Sequence, residues 1–253
     1  MKVIFIKKSV LVLLSAILIF FSAFSLNDRV LDISSAYYSA AKKVPIYSVE
    51  TNENKLSISF DAAWGADKTK LIMDICDSFN VKATFFLVGF WVDKYPDVVK
   101  EIYNRGFEIG LHSNTHPDMT KLSTNEIKEE LEENIKSIQN ITGERPTLFR
   151  PPFGYYNNRL IDICEELKIF CVQWDVDSLD WKGLSASEIA NRVVSKAKKG
   201  SIVLFHNNSD NIINSLKLVL ETFKQKSLNV VPIGSLIYTN NYTINNLGIQ
   251  IKT

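Results

Sequence analysis

From about residue 46 onward, short apolar runs alternate with longer segments in which apolar residues recur every three or four positions. The runs are Leu56–Phe60, Ala83–Val88, Phe107–Leu111, Thr147–Phe149, Ile169–Trp174, Ile202–Phe205 and Leu228–Ile233. Each is short and rich in β-branched or aromatic residues, as a strand buried on both faces should be. The intervening period predicts helices over about 67–80, 94–105, 124–142, 157–168, 186–199 and 210–226. Two of these have marked starts. Ser123 with Glu126 and Ser185 with Glu188 read as capping boxes, with Leu122–Ile127 and Leu184–Ile189 as their apolar staples. Gly106, Gly143 and Gly200 fall where a helix C-terminus favours a left-handed residue. Seven strands alternating with six helices predict an α/β fold of parallel strands joined by right-handed crossovers, either a barrel or an open doubly wound sheet.

The beginning of the chain follows a different pattern. Lys2, Lys7 and Lys8 precede an uncharged, apolar run over residues 9–26. A basic region followed by an apolar stretch reads as an export signal, and roughly 18 residues can also cross a ~30 Å hydrocarbon core as a helix. The lysines keep that end cytoplasmic and place the remainder outside the membrane. The expectation is therefore an N-terminal hydrophobic helix that anchors an extracytoplasmic protein. Ala23-Phe24-Ser25 offers the alternative of cleavage and secretion. Residues 27–45 read as a linker, 46–240 as one domain and 241–253 as a C-terminal tail.

Charge and cysteine content narrow the function classes. The chain carries +1, and without the three leader lysines it has 26 basic against 28 acidic residues. No nucleic-acid partner is implied. No glycine-rich phosphate loop follows any strand, so a nucleotide is not implied either. Cys76, Cys164 and Cys171 make no disulfide framework and read as buried thiols.

The chemistry collects at the ends of the predicted strands, where a parallel barrel keeps its reactive groups. Asp61 ends the first strand in Ser-Phe-Asp-Ala-Ala-Trp-Gly, and His112 and His116 follow the third in His-Ser-Asn-Thr-His-Pro. Arg150 opens Arg-Pro-Pro-Phe-Gly after the fourth, and Asp175, Asp177 and Asp180 follow the fifth. His206 follows the sixth, so all three histidines of the chain fall on one rim. Singly, each has an ordinary explanation as a cap, an ion pair or a loop residue; jointly, these explanations do not account for the shared rim. The set suits metal-assisted hydrolysis. Two imidazoles can hold a borderline cation such as zinc with positions left open, a carboxylate can take a proton from water, and a histidine can protonate the leaving group.

In this order the motifs resemble carbohydrate esterase family 4, the polysaccharide deacetylases with a NodB homology domain, over roughly residues 46–240. The Phe-Asp-Ala-Ala-Trp-Gly motif and the N-terminal anchor look most like the sporulation-associated, cell-wall-directed branch. The resemblance implies a distorted (β/α) barrel of about seven parallel strands. It also implies hydrolysis of N-acetyl groups on a cell-wall polysaccharide, peptidoglycan foremost. Carried over by position, Asp61 is the catalytic base, and His112 and His116 are ligands of a divalent metal, zinc or cobalt. Arg150 orients Asp61, and Asp180 orients His206, the general acid. Phe153 and Trp181 wall the site, and Trp64 offers a flat face to a sugar or packs in the core.

One position departs from the family pattern. Where the first motif usually has a second aspartate as metal ligand, this chain has Ala62. Metal binding is expected to be weakened or rearranged, with water or Asp67 substituting. The departure keeps open a wall-binding or scaffold module without catalysis on the same fold. A third reading is an amidase acting on another acyl group.

Overall fold

The computed structural model describes residues 42–253, and Lys43–Thr253 form one compact unit. The expected anchor at 1–26 and most of the linker at 27–45 lie outside the described residues. No helix among the described residues is long and apolar enough to cross a membrane.

The elements run β1 (Ser48–Val49), β2 (Lys55–Ala62), α1 (Thr69–Ser78), β3 (Thr84–Leu87), α2 (Gly89–Lys94), α3 (Pro96–Asn104) and β4 (Glu108–Leu111). They continue with α4 (Thr124–Thr142), β5 (Leu148–Phe149), α5 (Asn158–Glu166), β6 (Phe170–Cys171), β7 (Val176–Asp177) and α6 (Ala186–Lys196). The last are β8 (Ile202–His206), α7 (Ile212–Gln225), β9 (Asn229–Val230), α8 (Ile233–Leu236), β10 (Tyr242–Ile244) and β11 (Ile249–Lys252). Every apolar run of the sequence holds a strand.

Seven parallel strands follow one another in the order β6-β5-β4-β3-β2-β8-β7, with β9 paired to the start of β2. This is the expected distorted barrel. Its ends, β6 and β7, are joined through the chain and share no ladder among the described strands. Central β2 is buried on both faces. On one face Phe60 stacks between Phe85 and Phe205, with centroids 5.0 and 5.9 Å away, in register across three strands. On the other face Ser57, Ser59 and Asp61 alternate with these apolar residues. The two serine hydroxyls donate to the carbonyls of Val231 and Val203, so their burial leaves no unmet donor.

Both capping boxes form, at Ser123–Glu126 and Ser185–Glu188, and Gly143 ends α4 at φ 78°. Three local expectations are revised. The helix expected at 94–105 starts at Pro96 as α3, because Tyr95 leaves helical geometry, and a short helix that was not expected, α2, precedes it. Helix α6 stops at extended Ala197, so Gly200 is no helix cap. Its φ of 77° instead brings the backbone against Val49, where a Cβ would stand 1.7 Å from the carbonyl oxygen. Residues 241–253, set apart as a tail, carry β10 and β11, which form a small sheet with β1. Cys76, Cys164 and Cys171 are free and buried.

Candidate active site

The parallel register brings the strand ends together. Asp61 on β2 lies opposite His206 on β8, and both face a cavity of ≈ 600 Å³ together with His112, His116, Phe153, Asp177 and Trp181.

Asp61 is nearly buried, and its Oδ1 accepts a hydrogen bond from Arg150 Nη1 at 2.8 Å. Arg150 has no exposed surface and also donates from Nη2 to the Gln173 carbonyl at 3.0 Å. Its guanidinium lies 4.1 Å from the Phe86 ring centroid and 5.5 Å from that of Trp174. A fixed cation inside low-dielectric walls acts strongly on its neighbour. Burial alone would raise the Asp61 carboxyl, but Arg150, followed by His112 and His206, outweighs this and holds it below the ordinary value. Asp61 is thus kept as an anion, with Oδ2 turned to His112 Nε2 at 3.5 Å.

His112 donates from Nδ1 to the Arg150 carbonyl at 2.7 Å, which leaves Nε2 as the lone-pair nitrogen. Burial lowers both histidines of the pair, His112 in direction and His116 to about 4, so both are neutral at physiological pH. Their ring centroids are 5.0 Å apart. The loop between them is clamped from α4. Asn134 Oδ1 accepts from the His112 N–H at 3.1 Å, and Glu130 accepts from the Asn114 and Thr115 N–H groups at 2.8 Å each. Ser113 and His116 adopt positive φ, 64° and 60°, a conformation that needs such support.

Opposite, Asp180 is buried and accepts from both the backbone N–H and the Nδ1–H of His206. Burial would lower the His206 imidazole; the hydrogen bond and charge of Asp180 more than offset that and raise it. The site therefore holds an anionic carboxylate and a raised imidazole side by side, the pairing that base-then-acid chemistry requires.

Two neutral imidazoles with an oriented Nε2 suit a borderline divalent cation. Among the described residues no group of three or more His, Cys, Asp or Glu side chains is placed to hold a metal. Ala62 is fully buried in the apolar core. Asp67, expected as a substitute ligand, is exposed and does not line the cavity.

Phe153, Trp181 and Trp64 all line the cavity. Phe153 is 59% exposed, Trp181 60% and Trp64 59%, so Trp64 is no core residue. Sequence reasoning missed Glu130, Asn134, Gln173 and the cavity residues Tyr155 and Trp174. Asn134 had left a trace, as the one polar residue in the stripe Ile127, Leu131, Ile135, Ile138.

A sequence model of the polysaccharide deacetylases matches residues 48–172. A Bacillus cereus peptidoglycan-N-acetylglucosamine deacetylase is 31% identical over 77% of this chain and 72% of its own. The chain belongs to the polysaccharide deacetylase family. The uncharacterized protein YlxY of Bacillus subtilis is 34% identical over 76% of this chain, which spans 60% of the YlxY length. Among solved structures, BA3943 of Bacillus anthracis, described as a pseudoenzyme of carbohydrate esterase family 4, superposes with a TM-score of 0.74. It is 31% identical, over 76% of this chain and 68% of that one.

Proposed function

We propose that the protein hydrolyses N-acetyl groups on peptidoglycan, at the outer face of a membrane to which residues 9–26 tether it or from which they are cleaved. The observation that carries the reading is the pairing of Asp61 with His206 across one cavity, each held by its own charged partner. A structural ion pair would not need two oppositely tuned groups facing the same open space. The Phe-Asp-Ala-Ala-Trp-Gly motif further supports a place in the sporulation-associated branch.

Asp61 Oδ2, the oxygen not held by Arg150, takes a proton from water as the water oxygen attacks the acetamide carbonyl. The tetrahedral intermediate collapses with cleavage of the C–N bond. His206, protonated and fixed at Nδ1 by Asp180, donates from Nε2 to the departing nitrogen. Acetate and a free amino sugar result. His112 and His116 are the residues that would hold a divalent cation, zinc or cobalt, which when bound polarises the carbonyl and acidifies water.

Ala62 and the likeness to the BA3943 pseudoenzyme favour a second reading, a wall-binding module with impaired catalysis on the same site. Metal content and acetate release, measured together on residues 27–253 and on His112→Ala with N-acetylated peptidoglycan, separate the two. Acetate release lost in the variant supports the deacetylase. No metal and no acetate from any N-acetylated glycan supports the binding module.

A further inference from the structure

Two of the three thiols meet at the β6 edge of the barrel. Cys164 lies in the last turn of α5 and is 1% exposed; Cys171 ends β6 and is 7% exposed. Between them the chain reverses direction. The Leu167 N–H donates to the Ile163 carbonyl at 3.0 Å, Lys168 takes a φ of 56°, and the Ile169 N–H donates back to the Cys164 carbonyl at 2.8 Å. This reversal lays β6 against the helix that precedes it, and the Cys164 thiol donates a hydrogen bond to the Cys171 sulfur. Sulfurs in contact can join by side-chain rotation, without the backbone movement that separated thiols require. Cys76, on α1, has Asp77, Lys82 and Arg105 as its charged neighbours and neither of the other thiols.

Cys171 stands where the barrel is least closed. Its strand pairs with β5 through Phe149 on one side, and on the other its carbonyl accepts from the Ile46 N–H at 2.9 Å. The Gln173 N–H donates to the Ile46 carbonyl at 2.7 Å, and the Gln173 carbonyl in turn accepts from Arg150 Nη2 at 3.0 Å. A covalent tie from α5 to Cys171 therefore fixes the short end strand that leads into the carbonyl holding Arg150.

We infer that Cys164 and Cys171 are a disulfide site, closed by a low-molecular-weight disulfide such as oxidised glutathione. One cysteine, as its thiolate, attacks the glutathione disulfide and releases one glutathione thiol. The second attacks the resulting mixed disulfide and releases the other. Two protein S–H bonds and one glutathione S–S bond are lost, one protein S–S bond forms, and two electrons pass to glutathione, which leaves as two thiols. Burial and the contact with Cys171 raise the Cys164 thiol well above its ordinary value, so exchange waits on a local opening of the β6 edge. Such oxidants persist outside the membrane, where the proposed function places the chain. The chemistry itself does not depend on that placement.

The test starts from the reduced full chain in detergent, held with excess oxidised glutathione in guanidinium just below the unfolding midpoint. A parallel sample with iodoacetamide in place of glutathione should be alkylated at all three cysteines, which shows that each one opens under these conditions. Peptide mapping of the glutathione sample should then find Cys164 bridged to Cys171, with the mass of two hydrogens lost and no glutathione retained on either. Cys76 should remain available to an alkylating reagent or carry glutathione. The bridged chain should melt about 5–10 °C above the reduced one, as closure of a short loop implies. Cys76→Ala should keep this difference and Cys171→Ala should abolish it. Three unbridged thiols, lasting glutathione adducts on Cys164 or Cys171, or a bridge through Cys76 would overturn the site.

Discussion

The Asp180 carboxylate holds His206 twice, Oδ2 on the backbone N–H and Oδ1 on the imidazole Nδ1–H, both at 2.8 Å. One contact fixes the end of β8, and the other fixes the tautomer and raises the imidazole. Asp180 is itself anchored, since Ser209 Oγ donates to its carbonyl at 2.9 Å and Ser178 Oγ accepts from its N–H at 3.3 Å. The acid is thus oriented before substrate arrives.

Asp180→Asn should therefore lower kcat by about 10²- to 10⁴-fold, the usual worth of a positioned acid. Because His206 must be protonated to act and is raised above its usual 6.5, activity should fall as pH rises through the raised value. In the variant this alkaline limb should move to lower pH. Its ionisation also adds stability that is fully present below 6.5 and lost as pH rises through the folded value. Rate profiles and thermal melts against pH read both effects.

Arg150→Met leaves Asp61 buried without its cation. Breaking a buried pair from one side costs about 3–5 kcal/mol, so the melting temperature should drop by several degrees or more. The depressed Asp61 carboxyl stabilises the wild type above its unfolded value near 3.8, and this contribution is lost as pH falls through the folded value. In the variant the carboxyl rises. The acid limb of the rate profile should shift upward, and urea melts at several pH values should show the lost increment.

The histidine loop depends on α4. Glu130→Gln and Asn134→Ala should each reduce zinc affinity by about 10- to 100-fold, as loss of outer-sphere support does at metal sites. Asn134→Ala also removes one of the two acceptors of the buried His112 N–H, which keeps its bond to the Leu87 carbonyl at 3.1 Å, at a cost of about 0.5–1.5 kcal/mol. Zinc titration by calorimetry, paired with a denaturant melt of the apoprotein, separates the two contributions.

Ala62→Asp places a carboxylate in a fully buried position. Without metal, the variant should melt below the wild type, since an unpaired buried charge is costly. With zinc it should recover stability and bind the ion more tightly than the wild type, as a third ligand supplies charge and geometry. A differential-scanning series with and without zinc shows the crossing; a variant equally stable in both conditions would remove position 62 from any metal site.

The strands, most helices and the reactive rim were legible in the chain because they depend on local pattern. Apolar runs of three to six residues marked the parallel strands except β7, the Ser123 and Ser185 boxes fixed two helix starts, and strand ends marked the positions of Asp61, His112, Arg150 and His206. The sequence also identified Ala62 as the departure, which needs no coordinates to see. What only the tertiary structure decided is partnership and orientation. Asp61 and Arg150 are 89 positions apart and meet because β2 and β5 curl into one barrel. Asp67 misses the cavity, Gly200 serves a close approach rather than a cap, and Trp64 and Phe90 turn outward together. A one-residue change of register would turn Asp61 and His206 to the opposite faces of their strands with no change in sequence, so direction is a property of the packed sheet rather than of the chain.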